Sequence, residues 1–355
     1  MNTQSSFPTI SALSDTWTLK DYWGVFKVRW GVGRFSYRVA PGLYALGTPG
    51  EETPVFVTAN YKLSVDHLRR ALRGRDAWIL VLDTKGINVW CAAGKGTFGT
   101  EELIHRLQTT GLRDKKGKKL LILPQLGAPG VSAPAVEKAT GFRVIYGTIR
   151  AKDIPEFLDS GLQATEQMRT VTFSLLERLI LIPVELKGLI VPIMLLLSIL
   201  SLAGAFLAWG ISFLGSSPIS LKESLSLSVE TFFPLIPAGF LGVILFPILL
   251  PLLPGKAFSV KGAVLASLGL IAYLTVSHTF LLVPIHSLLF KVVPYIFLLV
   301  SMVSFLALNF TGSTPFTSLS GVLQEMRIAL PVQLVGFLVG TVWLWIDLVT
   351  KRGIL

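Results

Sequence analysis

Ala77-Trp78-Ile79-Leu80-Val81-Leu82-Asp83 is followed, after four intervening residues, by Asn88-Val89-Trp90-Cys91-Ala92-Ala93-Gly94-Lys95. The first run is short and continuously apolar, as a strand covered on both faces of a sheet would be. The second opens on Asn88, a good N-cap, which places Cys91 at the third position of a short helical turn. A strand that gives way to a helix start is where a parallel α/β sheet presents a ligand. A thiol at that position feels the positive end of the helix dipole, and Lys95, four residues on, would also favour the thiolate. Ala92 and Ala93 leave the turn almost bare, while Gly94 and Gly96 give it a flexible exit, so a flat, bulky group could approach the sulfur. These features suit a soft metal ligand. The bland alternative is a small buried hydrophobe, the usual role of a lone cysteine.

The neighbours favour the ligand. Gly86-Ile87-Asn88-Val89-Trp90-Cys91-Ala92-Ala93-Gly94-Lys95-Gly96-Thr97-Phe98-Gly99-Thr100 closely resembles the cap-helix signature of the membrane corrinoid protein of bacterial mercury methylation. That resemblance implies that Cys91 is the lower axial ligand of a base-off corrinoid cobalt, and so both the metal ligand and the catalytic residue. It implies that Asn88, Val89, Trp90, Ala92, Ala93, Gly94 and Lys95 form the rest of the cofactor cap. Thr58-Ala59-Asn60-Tyr61-Lys62-Leu63-Ser64 and Leu123-Pro124-Gln125-Leu126-Gly127-Ala128-Pro129-Gly130 look like the family's other cofactor-side loops. Asn60, Gln125, Leu126, Gly127, Ala128, Pro129 and Gly130 therefore join the expected corrinoid contacts.

Further expectations come with the family. The activity would be transfer of a methyl group from cobalt to Hg(II), giving methylmercury. The partners would be a ferredoxin-like protein with two [4Fe-4S] clusters and a methyl donor such as methyltetrahydrofolate acting through another protein. The fold would be a Rossmann-like corrinoid-binding α/β domain followed by an all-α transmembrane domain of five helices. The soluble part also looks related to the corrinoid subunit of acetyl-CoA synthesis.

Composition divides the chain. With 52% hydrophobic residues and a mean hydropathy of +0.64 over 355 residues, part of it must lie in lipid. Of the 32 Lys and Arg, 24 precede residue 187, as do 17 of the 21 Asp and Glu, so the water-facing part comes first. One cysteine excludes an internal disulfide and an iron–sulfur cluster ligated by this chain alone. The net charge of +11 comes with no nucleic-acid motif, and an anionic membrane surface or an acidic electron carrier explains it better. None of the four histidines has a glycine three residues later, so the Asp-x-His-x-x-Gly corrinoid motif is absent.

Along the chain, residues 1–50 read as an N-terminal extension. It lacks a secretory signal, and the alternation of Val25-Phe26-Lys27-Val28-Arg29-Trp30 suggests a hairpin closed at Gly31-Val32-Gly33. Residues 51–165 read as the corrinoid-binding α/β domain. Its strands are expected at 55–58, 77–82, 120–123 and 142–146, with a helix capped by Ser64, another capped by Thr100, and a third from about Ser132 to Gly141. Arg113 to Lys119 is a basic turn, either simply solvated or a contact for an acidic ferredoxin. Residues 166–186 read as an amphipathic linker along the bilayer.

From residue 187 onward, charges bracket five uncharged windows, and spans are expected near 188–213, 231–253, 262–284, 289–309 and 328–348. Prolines at 234, 237, 247, 251 and 254 should make the second irregular. The expected location is the cytoplasmic membrane, with the corrinoid domain in the cytoplasm.

Two rivals remain open from the residues. One is a corrinoid methyl carrier of one-carbon metabolism. The other is a non-enzymatic transport or scaffold protein in the membrane, which would bind no cobalt.

Overall fold

The computed structural model describes residues 10–112, 117, 119–214, 218–281, 285–310 and 319–350, without the side chains of 279–291, 319 and 320. Of the basic turn, Arg113–Lys116 and Lys118 lie outside the described residues. The chain divides into two compact units, Met1–Thr172 and Phe173–Leu355.

The first unit is built on six strands: β1 (Ser11–Leu13), β2 (Gly42–Leu46), β3 (Val55–Ala59), β4 (Ala77–Leu82), β5 (Leu120–Leu123) and β6 (Arg143–Tyr146), lying in the order β1-β2-β4-β3-β5-β6. β4, β3, β5 and β6 run parallel, with Phe56 opposite both Ile79 and Ile122. β2 runs antiparallel to β4, so the sheet is mixed. The alternation of side chains sorts the core onto two faces. Val57, Leu80 and Leu121 point to one, which is covered by Ala92, Leu103 and Val136. Phe56, Ile79 and Ile122 point to the other, covered by Leu68 and Phe157. Every β3 residue is therefore buried. The covering helices are α2 (Lys62–Ala71), α3 (Val89–Gly94), α4 (Thr100–Thr109), α5 (Ala133–Thr140) and α6 (Ile154–Asp159).

Three local expectations are corrected. Residues 25–39 are not a hairpin: α1 spans Leu19–Arg29, and the N-terminal segment supplies β1 and β2 to the main sheet. Thr18 explains α1. Its side chain accepts from the Asp21 amide while the Asp21 carboxylate accepts from the Thr18 amide, a reciprocal cap that satisfies two donors at the helix start. The caps of α2 and α4 also shift. α2 starts after Tyr61, with Ser64 already inside it, and α4 starts after Gly99, which leaves the Thr100 hydroxyl free to accept from the Ser132 amide at 2.8 Å. α5 ends as expected at Gly141, whose φ of +73° suits glycine.

The second unit begins with α7 (Leu175–Leu179) and α8 (Ile182–Ser212). Among the described residues, five stretches are long and apolar enough to cross a membrane: Leu175–Ser212, Leu221–Leu249, Phe258–His278, Val292–Asn309 and Gly321–Thr350. The second is broken at its prolines. α9 (Leu221–Phe232) gives way to a 3-10 turn at Phe233–Leu235, then α10 (Ile236–Gly239), a π-helical turn at Phe240–Leu245 and α11 (Phe246–Leu249). Pro234, Pro237 and Pro247 remove the amides that a regular α-helix would need there. α12 (Phe258–Leu281), α13 (Ile285–Asn309) and α14 (Leu319–Thr350) pack closely through glycines. A β-carbon at Gly262 would come within 2.6 Å of Ala307, and one at Gly340 within 2.7 Å of Leu298. Small residues of this kind let membrane helices approach. Between these helices, Gln333 donates to the Ser304 hydroxyl, which donates to the Ser259 carbonyl.

Candidate functional site

Three loops meet at the C-terminal edge of the parallel strands: Asn60 after β3, Asp83–Asn88 after β4 and Pro124–Gly130 after β5. This is the edge at which open parallel sheets bind ligands.

The turn after β4 is organised from below by Asn60, which is 2% exposed. Its carbonyl oxygen accepts from the Thr84 amide, the Thr84 hydroxyl and the Gly86 amide at 3.2, 2.8 and 2.9 Å. Its amide nitrogen donates to Asp83 at 3.2 Å. Asn60 thus directs its hydrogen bonds into the protein and shapes the approach to Asn88. Lys85 and Gly86 both have positive φ, at +59° and +77°, which turns the chain sharply. Lys85 also reaches Asp83 at 2.6 Å; that hydrogen bond, countering the upward push of burial, holds the Asp83 carboxyl below the usual range. The Asp83 amide is received by Glu102 of α4, itself fixed by Arg106 at 2.7 Å. Glu102 stands in the first turn of α4, and its bond to the Asp83 amide nineteen residues away leaves no local mark in the sequence.

From there the chain enters α3. Asn88 has extended backbone angles, and its side-chain oxygen accepts from the amide of Cys91 at 2.9 Å. The N-cap expected from the sequence therefore closes directly on the cysteine. Val89, Ala92 and Ala93 are buried against the sheet, whereas Trp90, Cys91, Gly94 and Lys95 are exposed. The helical period places the thiol on the outer side because its neighbours fill the inner one. The carbonyl of Ala92 then accepts from the amides of Thr97 and Phe98 at 3.0 and 3.1 Å and closes the turn.

The loop after β5 is fastened to this turn. Gln125–Gly127 forms a single 3-10 turn. Phe98, fully buried, lies so close to Gly127 that a β-carbon there would come within 2.5 Å of its ring. Gly130 sits against Ala93 and the Phe98 carbonyl with no room for a side chain, and its own carbonyl accepts from the Thr100 amide. Ala128 is partly exposed and Pro129 exposed, while Leu126 packs against the core. The structure thus brings the α3 turn and Gln125–Gly130 into one surface, with Asn60 beneath its rim.

Three observations bear on whether a corrinoid fits. The Cys91 thiol is free and exposed. A β-carbon at Gly94 or Gly96 would meet nothing within 4 Å, so the flank of the turn is open. The side-chain oxygen of Gln125 is buried and without a hydrogen-bond partner among the described residues. A ligand rich in N–H donors, such as the amide-fringed corrin ring, would satisfy that acceptor. The residues fit the group. Among the described residues there is no cluster of three or more His, Cys, Asp or Glu able to hold a metal ion by themselves. Cys91 would then serve as one soft ligand to a metal already held by its own macrocycle.

Comparison with known proteins finds similarity in the first unit. Residues 33–158 match the family described as CO dehydrogenase/acetyl-CoA synthase delta subunit. The gamma subunit of the acetyl-CoA decarbonylase/synthase complex of Methanopyrus kandleri is 36% identical over 132 residues, 36% of this chain and 28% of that protein. Its counterpart in Methanothermobacter thermautotrophicus is 32% identical over 123 residues, 34% of this chain and 26% of the other. The corrinoid/iron-sulfur protein large subunit of Moorella thermoacetica is 29% identical over 127 residues, 35% of this chain and 28% of the other. This chain therefore spans about a quarter of the length of the curated relatives it matches. Over residues 33–158 the first unit is thus similar to subunits of CO dehydrogenase/acetyl-CoA synthase and acetyl-CoA decarbonylase/synthase complexes and to the large subunit of a corrinoid/iron-sulfur protein.

Proposed function

We propose that the first unit holds a corrinoid over the α3 turn, with the Cys91 thiolate as the lower axial ligand of its cobalt, and that the chain transfers a methyl group from it. The observation that carries this reading is the exposed thiol on a turn capped through its own amide, fastened to a loop with an unpartnered Gln125 oxygen. The similarity to corrinoid proteins of acetyl-CoA metabolism supports the cofactor and a methyl-carrying role. When bound, the corrinoid supplies a methyl group on cobalt.

The chain's residues then have distinct parts. Asn88 fixes the direction of the Cys91 backbone, and Cys91 would hold the cobalt through a soft, strongly donating sulfur, which would make the metal a better methyl donor. Gln125 would accept an N–H of the macrocycle's amide fringe. Gly94 and Gly96 keep the flank clear, and Asn60 holds the rim from within.

For the acceptor, the likeness of residues 86–100 to the mercury-methylation signature favours Hg(II), and the membrane tail belongs with that reading. The relatives favour a methyl carrier of one-carbon metabolism instead. The basic first unit suits a small acidic iron–sulfur protein as reductant.

The two acceptors can be tested with the full chain in detergent, loaded with methylated corrinoid and supplied in turn with Hg(II) and with a one-carbon acceptor protein. The proposal expects methylmercury by mass spectrometry and none from Cys91→Ala. Transfer only to the one-carbon acceptor would select the second reading. Transfer by the variant at the original rate would remove thiolate ligation from the account.

A further inference from the structure

Outside the cofactor edge, the most unusual surface of the first unit is the outer face of α1. Leu19 is 89% exposed, Trp23 59%, Phe26 53% and Trp30 39%, and the turn that follows adds Phe35 at 78%. Leu19, Trp23, Phe26 and Trp30 fall at i, i+4, i+7 and i+11, a single stripe along the helix. The rings of Trp23 and Phe26 are stacked at 5.3 Å, and Phe26 and Trp30 follow at 6.4 Å. Such a contiguous exposed apolar patch marks an interaction site.

The opposite face is fixed. Asp21, Gly24 and Val28 are buried, with the Tyr37 ring over Gly24 and Val28 packed with Tyr61 and Leu63. The aromatic stripe is therefore held outward by a packed inner face and cannot rotate in.

Charge distinguishes the occupant. Lys20, Lys27, Arg29 and Arg34 border the stripe, and no carboxylate pairs with them among the described residues. The only acid of α1, Asp21, is turned inward onto Lys62 and Arg69. Tryptophan and phenylalanine flanked by unpaired cations make an interfacial membrane surface: the rings enter the headgroup boundary while the cations meet lipid phosphates. α1 itself precedes residues 33–158, the stretch that matches the family model, while Arg34 and Phe35 fall just inside it.

We infer that α1 is a membrane-surface anchor that lays its Trp23–Phe26–Trp30 stripe into anionic phospholipid headgroups. The first unit is then held against the bilayer by its own N-terminal helix, independently of the spans in the second unit.

The test uses the full chain carrying Cys91→Ala, which leaves no other thiol, in nanodiscs of pure phosphatidylcholine or with one-third phosphatidylglycerol. Nitroxide labels are placed singly at Leu19→Cys, at Phe35→Cys and, as a water-facing control, at Glu137→Cys on α5. The ratio of oxygen to nickel-chelate collision rates reports depth. The inference expects this ratio at 19 and 35 to exceed that at 137 several-fold in anionic discs, and to fall in neutral discs. It should also fall when Lys27→Glu and Arg34→Glu, or Trp23→Asp and Phe26→Asp, are introduced. Because Trp23, Phe26 and Lys27 are exposed and Arg34 is only half-buried, the variants should keep the fold. Ratios at 19 and 35 equal to that at 137 in both lipids would overturn the anchor. Shielding from both reagents would overturn it in favour of a protein surface, and immersion independent of lipid charge would overturn the electrostatic choice of partner.

Discussion

The side-chain oxygen of Asn88 receives the amide hydrogen of Cys91 itself, so one bond both starts α3 and orients the residue proposed to bind cobalt. Asn88→Ala should cost about 1 kcal/mol of stability, the usual worth of a cap. It should lower methyl transfer by more than that, whereas Asn88→Asp should retain both; thermal unfolding and transfer rates on the same samples would show it. Cys91→Ser is expected to change stability by less than about 0.5 kcal/mol because the side chain is exposed. Transfer should nonetheless be lost, since a hydroxyl is a hard, neutral ligand. Asn60 is different in kind. Its four hydrogen bonds are all within the protein, so Asn60→Leu should cost about 3 kcal/mol by stranding several partners and should disorder the turn leading to Asn88. The Asn88–Cys91 turn was legible because capping is local in sequence. The inward role of Asn60 was not, because its partners at Asp83, Thr84 and Gly86 belong to the next strand's loop.

At the level of elements, α1 resembles a strand in sequence because both its faces are apolar. Val25 and Val28 pack inward while Phe26 and Trp30 face outward, and such a helix mimics the period-two alternation of a strand. The decisive signal was Thr18 and Asp21, three residues apart, a pairing that starts helices. Asp21 also joins a cluster with Lys62, Asp66 and Arg69, at 2.6 Å from Lys62 and 2.9 Å from Arg69. Burial pushes its carboxyl up, but hydrogen bonds from Lys62, the Thr18 amide and Arg69 together hold it well below the usual range. The folded pKa is depressed, so the contribution to stability is present above the ordinary carboxylate pKa and is lost as pH falls through the folded one. Asp21→Asn should destabilise the protein by about 3 kcal/mol at neutral pH, as removal of a buried ionic partner does. The gap between wild type and variant should close at strongly acid pH, measured by denaturant unfolding across the range. A constant gap would show that the cap, and not the charge, dominates.

At the scale of the whole molecule, the chain joins a mixed-sheet α/β unit to a unit in which, among the described residues, five helices are long and apolar enough to cross a membrane. Lysines and arginines thin out after residue 187, whereas the compact units part earlier, between Thr172 and Phe173. The antiparallel β2 was not legible, since pairing partners distant in sequence leave no local trace. A fragment ending at Thr172, where the first unit ends, should fold and bind corrinoid, and loss of binding would place part of the cofactor site in the second unit. Repeated turnover should require an added iron–sulfur reductant, because one cysteine cannot ligate a cluster. Sustained turnover by this chain alone, with no reductant, would contradict that.

If Cys91 ligates the cobalt of a bound corrinoid, the electronic absorption spectrum of the full chain purified with corrinoid must change when the thiol is removed. Stoichiometric cobalt is expected in both wild type and Cys91→Ala, with a thiolate-ligated spectrum in wild type and a water-ligated, base-off spectrum in the variant. Identical spectra from the two proteins, or no bound cobalt in wild type, would contradict it.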